Sequence, residues 1–507
     1  MRIPNTAAQL KDLIDPQCPD YRLGIILTSE ARLWHVCYGL TQFLHPRGEI
    51  FLQWTKAKDE KTTGLIYFPG FWNADQLLLT NSQAFSEVLV RRPYAFTKPP
   101  AGASLIRRGI GDSLFIAEGD EHRRLRRILQ PFFNFRKMHN LYPIFWMKAI
   151  DLANATARSD PGKSSEEEFV AEVLWYADKV TLDTIGLAAL GKDFKSLTEP
   201  HELAKAAETA APTKLGMQVI FIATALLLPW WALKLIPGGM QKRLNEASEQ
   251  GIRVCERFVE ERKSDEKIGG DVFRQLIDAQ VFTDTELVDN LRMIIATGHD
   301  PTAATFIWVL YYLSIHPEWQ KRLREELHAN IPNHFFTSDD DKNHFTAGAT
   351  LDTLPVLNAC INETLRYMPT TPVTSRVADR ETTILSTIVP KGTKILIAPY
   401  VLNRLVEHYG PTAEDFDPGR WIENNGKANN HGGASTNYAF STFLHGPRKC
   451  LGMAYAKAEI RSFTAAFVAR FDFEMADKKE VPVESGMFST RPRDGLSLRL
   501  RKVGGWW

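Results

Sequence analysis

Cysteine is scarce in this chain and never paired in its spacing. The 507 residues hold five, at 18, 37, 255, 360 and 450, an odd and scattered set with no zinc-type spacing. That excludes a disulfide-stapled secreted fold and points to a reducing compartment. Neither sign of charge is in excess: 61 Lys+Arg against 60 Asp+Glu give a formal net charge of +1. Nothing in the balance calls for nucleic acid or a strongly acidic partner. The first residues show neither a secretory leader nor a continuous apolar anchor, because charges interrupt every early apolar run. Trp34 to Phe43 nevertheless fits an amphipathic helix lying on a surface, so residues 1–48 read as a separate N-terminal segment with possible membrane contact. Function has to come from sites rather than from bulk charge.

One cysteine sits in a context unlike the others. Cys450 closes the run Phe443-Leu444-His445-Gly446-Pro447-Arg448-Lys449-Cys450 and is followed by Leu451-Gly452. Met453, Ala456, Ile460, Phe463 and Phe467 then recur at helical spacing, which puts the sulfur at a helix N-terminus whose dipole favours negative charge. Gly446 and Gly452 allow the backbone to turn tightly against a flat group, and Arg448 offers a forked donor to a carboxylate. A haem iron needs such a sulfur, anionic and shielded from water, as the axial ligand that favours O–O cleavage. An isolated cysteine is more often an inert core residue. The dense pattern around Cys450 argues for the ligand.

The pattern Phe-x-x-Gly-x-Arg-x-Cys-x-Gly resembles the haem-binding signature of the cytochrome P450 family, and further motifs follow the family's order. Glu363-Thr364-Leu365-Arg366 resembles its Glu-x-x-Arg pair, and Phe416-Asp417-Pro418-Gly419-Arg420-Trp421 resembles the segment whose arginine joins that pair. The resemblance implies a buried ion network of Glu363, Arg366 and Arg420 that locks the cysteine loop and is structural in role. By itself a Glu and an Arg three apart are commonly a solvated surface pair. The basic stretch Gly119–Arg127 resembles the family's third major helix, with His122 where many members carry tryptophan. Donors from His122, Arg126, Arg376 and Arg448 are thereby expected at the haem propionates. Arg123, Arg124 and Arg127 remain open between a solvated basic face and a docking face for a reductase.

Thr283-Asp284-Thr285-Glu286 has the form of a capping box and predicts a long helix to about Ile315. Within it, Thr297-Gly298-His299-Asp300-Pro301-Thr302 resembles the family's oxygen-binding segment, in which an acid and a threonine relay protons. Asp300 is the expected acid, and Gly298 is expected to leave room for oxygen. Pro301 stands where the threonine is usual. Lacking an N–H, it removes the helical partner of the Thr297 carbonyl and is expected to kink the helix. Thr302 is a candidate for the missing hydroxyl, although one step along a helix turns a side chain by about 100°.

Elsewhere the pattern predicts strands at Ile50–Trp54 and Leu65–Phe68 joined by a charged turn, a helix at Asn81–Val90 and a flexible loop at Pro93–Ile110. Helical patterning follows from Tyr142 to Leu190. Further helices are predicted at Pro317–Leu327 and Leu354–Arg366, with loops at Thr337–Thr350 and Asn424–Asn437 and a terminal strand around Leu496, Leu498 and Leu500. Leu215 to Leu233 carries no charge and is flanked by Trp230 and Trp231 near its end. Its length matches a hydrocarbon core of roughly 30 Å. Pro229 and the mid-chain position favour an apolar segment at 215–236 that roofs a pocket and dips into a membrane surface, with a buried core helix as the alternative.

The resemblance therefore implies a mainly α fold with a small β-region, one large haem domain over residues 49–507, and a monooxygenase carrying haem b. Cys450 is its expected iron ligand, electrons come from NADPH through a separate NADPH-cytochrome P450 reductase, and Asp300 and Thr302 are the candidate catalytic residues. A lipophilic small-molecule substrate, a tailoring role of the fungal secondary-metabolite type on terpenoid, polyketide or alkaloid skeletons, and a place on the cytosolic face of the endoplasmic reticulum membrane follow by the same analogy. Two other functions fit parts of the sequence. A peroxide-using or isomerase-type haem-thiolate enzyme would suit the missing threonine, and a haem sensor would need an output region that the chain does not display.

Overall fold

Helices dominate because long stretches place apolar residues at three- and four-residue intervals, and the computed structural model shows how they stack. It describes residues 48–57, 64–69, 75–159, 168–199, 201–205, 240–264, 272–337, 341–479, 482, 484–485 and 489–504. The principal helices are α1 (Pro100–Ile110), α2 (Gly119–Leu129), α3 (Tyr142–Arg158), α4 (Val173–Leu190), α5 (Met240–Ser264), α6 (Asp284–Ile315), α7 (Pro317–Asn330), α8 (Asp341–Leu351), α9 (Pro355–Tyr367) and α10 (Met453–Arg470). Helix α6 runs through the centre. Phe306 on its buried face meets Phe463 and Phe467 of α10 edge-on, at centroid distances of 5.7 and 6.0 Å. Such pairs add to the stabilisation from area burial.

The β-region is built of small sheets. β1 (Leu65–Pro69), β2 (Asp75–Leu79), β6 (Lys394–Ile397), β5 (Thr374–Ala378) and β3 (Phe96–Thr97) lie side by side in that order. Leu77 pairs with Ile395 in the parallel step, and Arg376 pairs with the same Ile395 in the antiparallel one. A second sheet pairs β8 (Ser497–Lys502) with β4 (Phe169–Glu172) and β7 (Phe471–Met475), placing Leu498 beside Ala171 and Leu500 beside Phe473. Leu496, Leu498 and Leu500 are all buried, as their alternation predicts.

Most expected elements form. The capping box does: the Thr283 amide donates to Glu286 Oε2 at 2.8 Å, and Thr283 Oγ1 accepts from the Glu286 amide at 3.3 Å. Three expectations are corrected. Residues Ile50–Trp54 lie in a helix, Glu49–Lys56, rather than a strand, and β1 pairs with β2 instead. An apolar run this short fits either period; here Phe51 and Trp54, three apart, meet edge-on at 5.6 Å, and Glu49 and Lys56 sit at the helix ends that suit their charges. The segment Pro93–Ile110 is not a loop over its second half, because Pro100 occupies the first turn of α1, where proline is favourable. Thr337–Thr350 contains most of helix α8. Its Gly348 is a packing device, since a Cβ there would lie 2.5 Å from Cβ of Tyr142 on α3. The run Leu215–Leu233 lies outside the described residues. Among the described residues no helix is long and apolar enough to cross a membrane.

Candidate active site

The cysteine loop is shaped by its backbone. Gly446 adopts φ +75°, and a Cβ on it would come within 2.1 Å of the Leu89 carbonyl oxygen. The missing side chain therefore admits a protein carbonyl, not the flat group expected from the sequence. Gly452 is different: no atom lies within 4 Å of where its Cβ would be. The Cys450 amide donates to the Phe443 carbonyl at 2.9 Å, and α10 begins at Met453, three residues on. Cys450 is exposed although protein surrounds it closely enough for burial to push its thiol pKa up. Accessible surface on an encircled residue marks the wall of an internal space. The Gly452 amide and the charges of Arg126 and Lys449 pull the thiol pKa the other way.

Cationic groups converge beside this loop. Arg448 pairs with Glu118 and also reaches the Pro93 carbonyl at 3.3 Å. Lys98 lies 3.4 Å from the same Glu118. Burial, with further repulsion from neighbouring cations, lowers Lys98 to about 8 and His122 to about 4, while burial and Arg448 lower Arg376 to about 10. Arg376 Nε is buried with no hydrogen-bond partner. Among the described residues, Glu118 is the carboxylate that acts on all three of these groups, so the cluster is short of negative charge. Two propionates would supply it, and an orphaned guanidinium nitrogen would gain an acceptor. The residues fit a haem. Arg126 is turned elsewhere: its Nη1 donates to the Lys449 carbonyl at 2.7 Å, bracing the loop backbone. His122 meets the Tyr94 hydroxyl at 3.1 Å. Lys98 and Tyr94 carry no sequence signal of their own, and the loop before α2 brings them in.

The ion network forms as expected. Glu363 and Arg366 are both fully buried; Arg366 grips both carboxylate oxygens at 2.7 and 2.8 Å, and Arg420 Nε adds a bond of 3.0 Å. The Asp417 amide and the Trp421 indole complete the carboxylate shell at 2.8 and 2.9 Å. Burial alone would raise the Glu363 pKa, but these donors hold it below the usual carboxylate range. Asn403 links the network to the cysteine loop. Arg366 donates to its carbonyl at 2.8 Å, and its side-chain Oδ1 accepts from the Ser441 amide at 2.8 Å. Glu363→Ala strands two arginines and is expected to cost about 3–5 kcal/mol, read as a lowered urea midpoint together with loss of haem retention.

On α6 the chain remains helical through Pro301. Ala296 and Thr297 are exposed while the preceding turn is buried, so this side of the helix fronts open space, and Pro301 lies four residues from Thr297 on the same stripe. Gly298 faces the opposite way: a Cβ there would meet the Ile185 side chain of α4 at 2.8 Å. Its smallness lets two helices approach instead of leaving room for oxygen. Thr302, four residues on, shares that stripe and is 2% exposed. Asp300 accepts a hydrogen bond from Ser489 Oγ, and Arg491 Nη1 stands 3.6 Å from it while binding both Asp178 oxygens at 3.0 Å. His299 Nε2 lies 2.9 Å from the Asp178 carbonyl. Burial raises the Asp178 pKa.

Comparison with known proteins agrees with this geometry. The family model described as Cytochrome P450 matches residues 32–498. The chain is 42% identical over 489 residues to the cytochrome P450 monooxygenase abl5 of Leptosphaeria maculans, covering 94% of this chain and 88% of that protein. It is 35% identical over 461 residues to sphH of Aspergillus fumigatus, covering 89% and 83%, and 32% identical over 493 residues to ptmK of Penicillium ochrochloron, covering 95% of each. Both carry the same description, cytochrome P450 monooxygenase. A thiol at a helix start facing an internal space, a cation cluster short of carboxylates and a match across nearly the whole length converge: the chain belongs to the cytochrome P450 family, an oxygen-incorporating oxidoreductase with haem iron as cofactor and, as is typical of the family, a separate reductase as electron source.

Proposed function

We propose that this protein inserts one oxygen atom from O2 into a lipophilic small molecule, as a tailoring step on a terpenoid, polyketide or alkaloid skeleton. The single observation that carries the reading is the Cys450 loop, whose sulfur faces an internal space beside a cluster of cations short of negative charge. Within residues 49–507, Cys450 would hold the iron, Arg376 and Arg448, joined by Lys98, would balance the charge of the propionates, and His122, uncharged with its pKa lowered to about 4, would offer them a hydrogen bond. Arg126 serves by holding the Lys449 carbonyl and biasing the sulfur toward its anion. Haem so held supplies the oxygen activation. Around it, Asp300 passes protons inward and α6 presents its Ala296–Thr297 face to the substrate side. Relatives named as monooxygenases in fungi support the tailoring role. Metabolite profiles of cells with and without the protein test it, because a substrate that accumulates and a product that disappears are read together. An unchanged profile under expression overturns it.

The peroxide-using alternative rests on Pro301, which removes the usual hydroxyl. Dependence on NADPH and reductase separates the two readings. We further infer a place on the cytosolic face of the endoplasmic reticulum membrane, held through the apolar residues 215–233. Replacing Leu226, Leu227 and Leu228 by polar residues is expected to release the protein from microsomes while its haem content stays the same. Retention in the pellet after alkaline washing would assign the attachment to another segment.

A further inference from the structure

Residues 99–117 form a strap fastened at both ends. At the base, the Lys98 amide donates to Glu118 Oε1 at 2.9 Å, and Glu118 is itself the partner of Arg448 beside the cysteine loop. At the far end, Arg292 of α6 caps helix α1. Its Nη2 donates to the carbonyls of Arg108 and Gly109, each at 2.8 Å, and lies 3.1 Å from Ser248 Oγ of α5. Ser248 Oγ donates to the same Arg108 carbonyl at 2.6 Å. These carbonyls belong to the last turn of a helix, where no intrahelical amide remains and a cation is favoured.

The fastening continues along the strap. Asp289 Oδ2 accepts from the Asp112 amide at 2.8 Å, and Asn290 Oδ1 accepts from the Leu114 amide at 3.1 Å. Gly111 makes this possible, since it sits at φ +68° and a Cβ would fall 1.8 Å from Asp289 Oδ1. Arg292 is 7% exposed, so its bonds are made out of water and are correspondingly strong. The clasp lies five residues before Thr297, about 7.5 Å along the helix. The strap thus spans from the cysteine loop to the helix face that fronts open space.

We propose that Arg292 is the latch of this strap and that it sets how fast large lipophilic ligands, but not small ones, pass between the strap and α6. The proposal rests on the haem reading of the Cys450 site. Opening for a bulky molecule breaks the Arg292 and Asp289 bonds together, whereas a small one passes without opening. Arg292 acts by positioning α1 and touches no reacting atom.

The test uses the full-length haem-loaded chain and its Arg292→Ala, Arg292→Lys and Ser248→Ala variants. Stopped-flow absorbance follows imidazole and triphenylmethyl-imidazole binding at the iron, and the reduced carbon monoxide spectrum reports the haem site separately. Arg292→Ala is expected to raise both association and dissociation rates of the bulky azole by about ten-fold or more, the scale of a lost charge-assisted hydrogen bond. Imidazole rates stay within about two-fold, because that ligand needs no opening. Arg292→Lys restores part of the slow exchange, and Ser248→Ala shifts it in the same direction as Arg292→Ala but less. Hydrogen exchange at the Gly111, Asp112 and Leu114 amides rises in step, with α10 unchanged. Unaltered bulky-azole rates, or equal acceleration of both azoles, overturns the latch. Should Arg292→Ala fail to hold haem, Ser248→Ala decides by the same rates. Should the parent itself show no carbon monoxide band, the haem reading fails, and unchanged strap exchange in the variants still overturns the latch.

Discussion

Cys450→Ser is expected to remove the thiolate-specific absorption band of the reduced carbon monoxide complex and to abolish turnover, with the melting temperature of the haem-free chain close to that of the parent. The loop does not depend on the sulfur for its shape. It is set by the Cys450 amide on the Phe443 carbonyl, by Gly446 against Leu89 and by Asn403 on the Ser441 amide. Serine keeps all three and loses only the soft, anionic ligand. An alkoxide is not accessible near neutral pH, whereas a thiol bound to a metal is deprotonated outright. Cys255→Ser provides the contrast. Burial raises that thiol to about 12, and it packs in the apolar core, so its replacement is expected to leave the band untouched. An intact band and retained turnover in Cys450→Ser would remove the haem-ligand assignment, because the other two described cysteines are buried in the core.

The contrast between those cysteines shows what a sequence can carry. Cys450 is legible because its neighbours are constrained one by one: a glycine with no space for Cβ, an arginine at a carboxylate and a turn into a helix. Glu363, Arg366 and Arg420 are legible for the same reason. What escapes is contact made between segments far apart in the chain. Asn403 joins the ion network to the cysteine loop from a short turn with no pattern of its own, and Lys98 enters the cation cluster only because Glu118 closes the strap on it. Besides Gly446, which faces the Leu89 carbonyl, two helical glycines mislead. Gly348 reads as a loop former and Gly298 as room for a ligand, yet each lets two helices touch, at Tyr142 and at Ile185. Nothing local distinguishes a glycine that permits a turn from one that permits close packing. The strand expected at Ile50–Trp54 fails similarly, because four apolar residues in a short run satisfy both periods and tertiary packing decides.

Asp300→Asn is expected to slow NADPH-driven turnover by roughly 10²-fold or more, and Thr302→Ala to change it little. The threonine expectation follows from position. Thr302 is 2% exposed and shares its stripe of α6 with Gly298, which is pressed against Ile185, so its hydroxyl is turned from the face carrying Thr297 and Pro301. The carboxylate is placed differently. It is half-buried, accepts a proton-bearing hydroxyl from Ser489, and has Arg491 shared between it and Asp178. Asparagine matches its size and can still accept from Ser489, so packing survives while the group can no longer gain and lose a proton. Pro301 adds a second polar site nearby: with no amide four residues on, the Thr297 carbonyl lacks its helical partner, and a water taken up by it and by Asp300 would do the work of the missing hydroxyl. Arg491→Ala then becomes informative, since it frees Asp300 of one partner without touching its ability to ionise. Its turnover is expected to fall far less than that of Asp300→Asn. Rapid turnover with peroxide, no gain from reductase and NADPH, and indifference to Asp300→Asn would together sink this route and leave the peroxide-using enzyme as the better account.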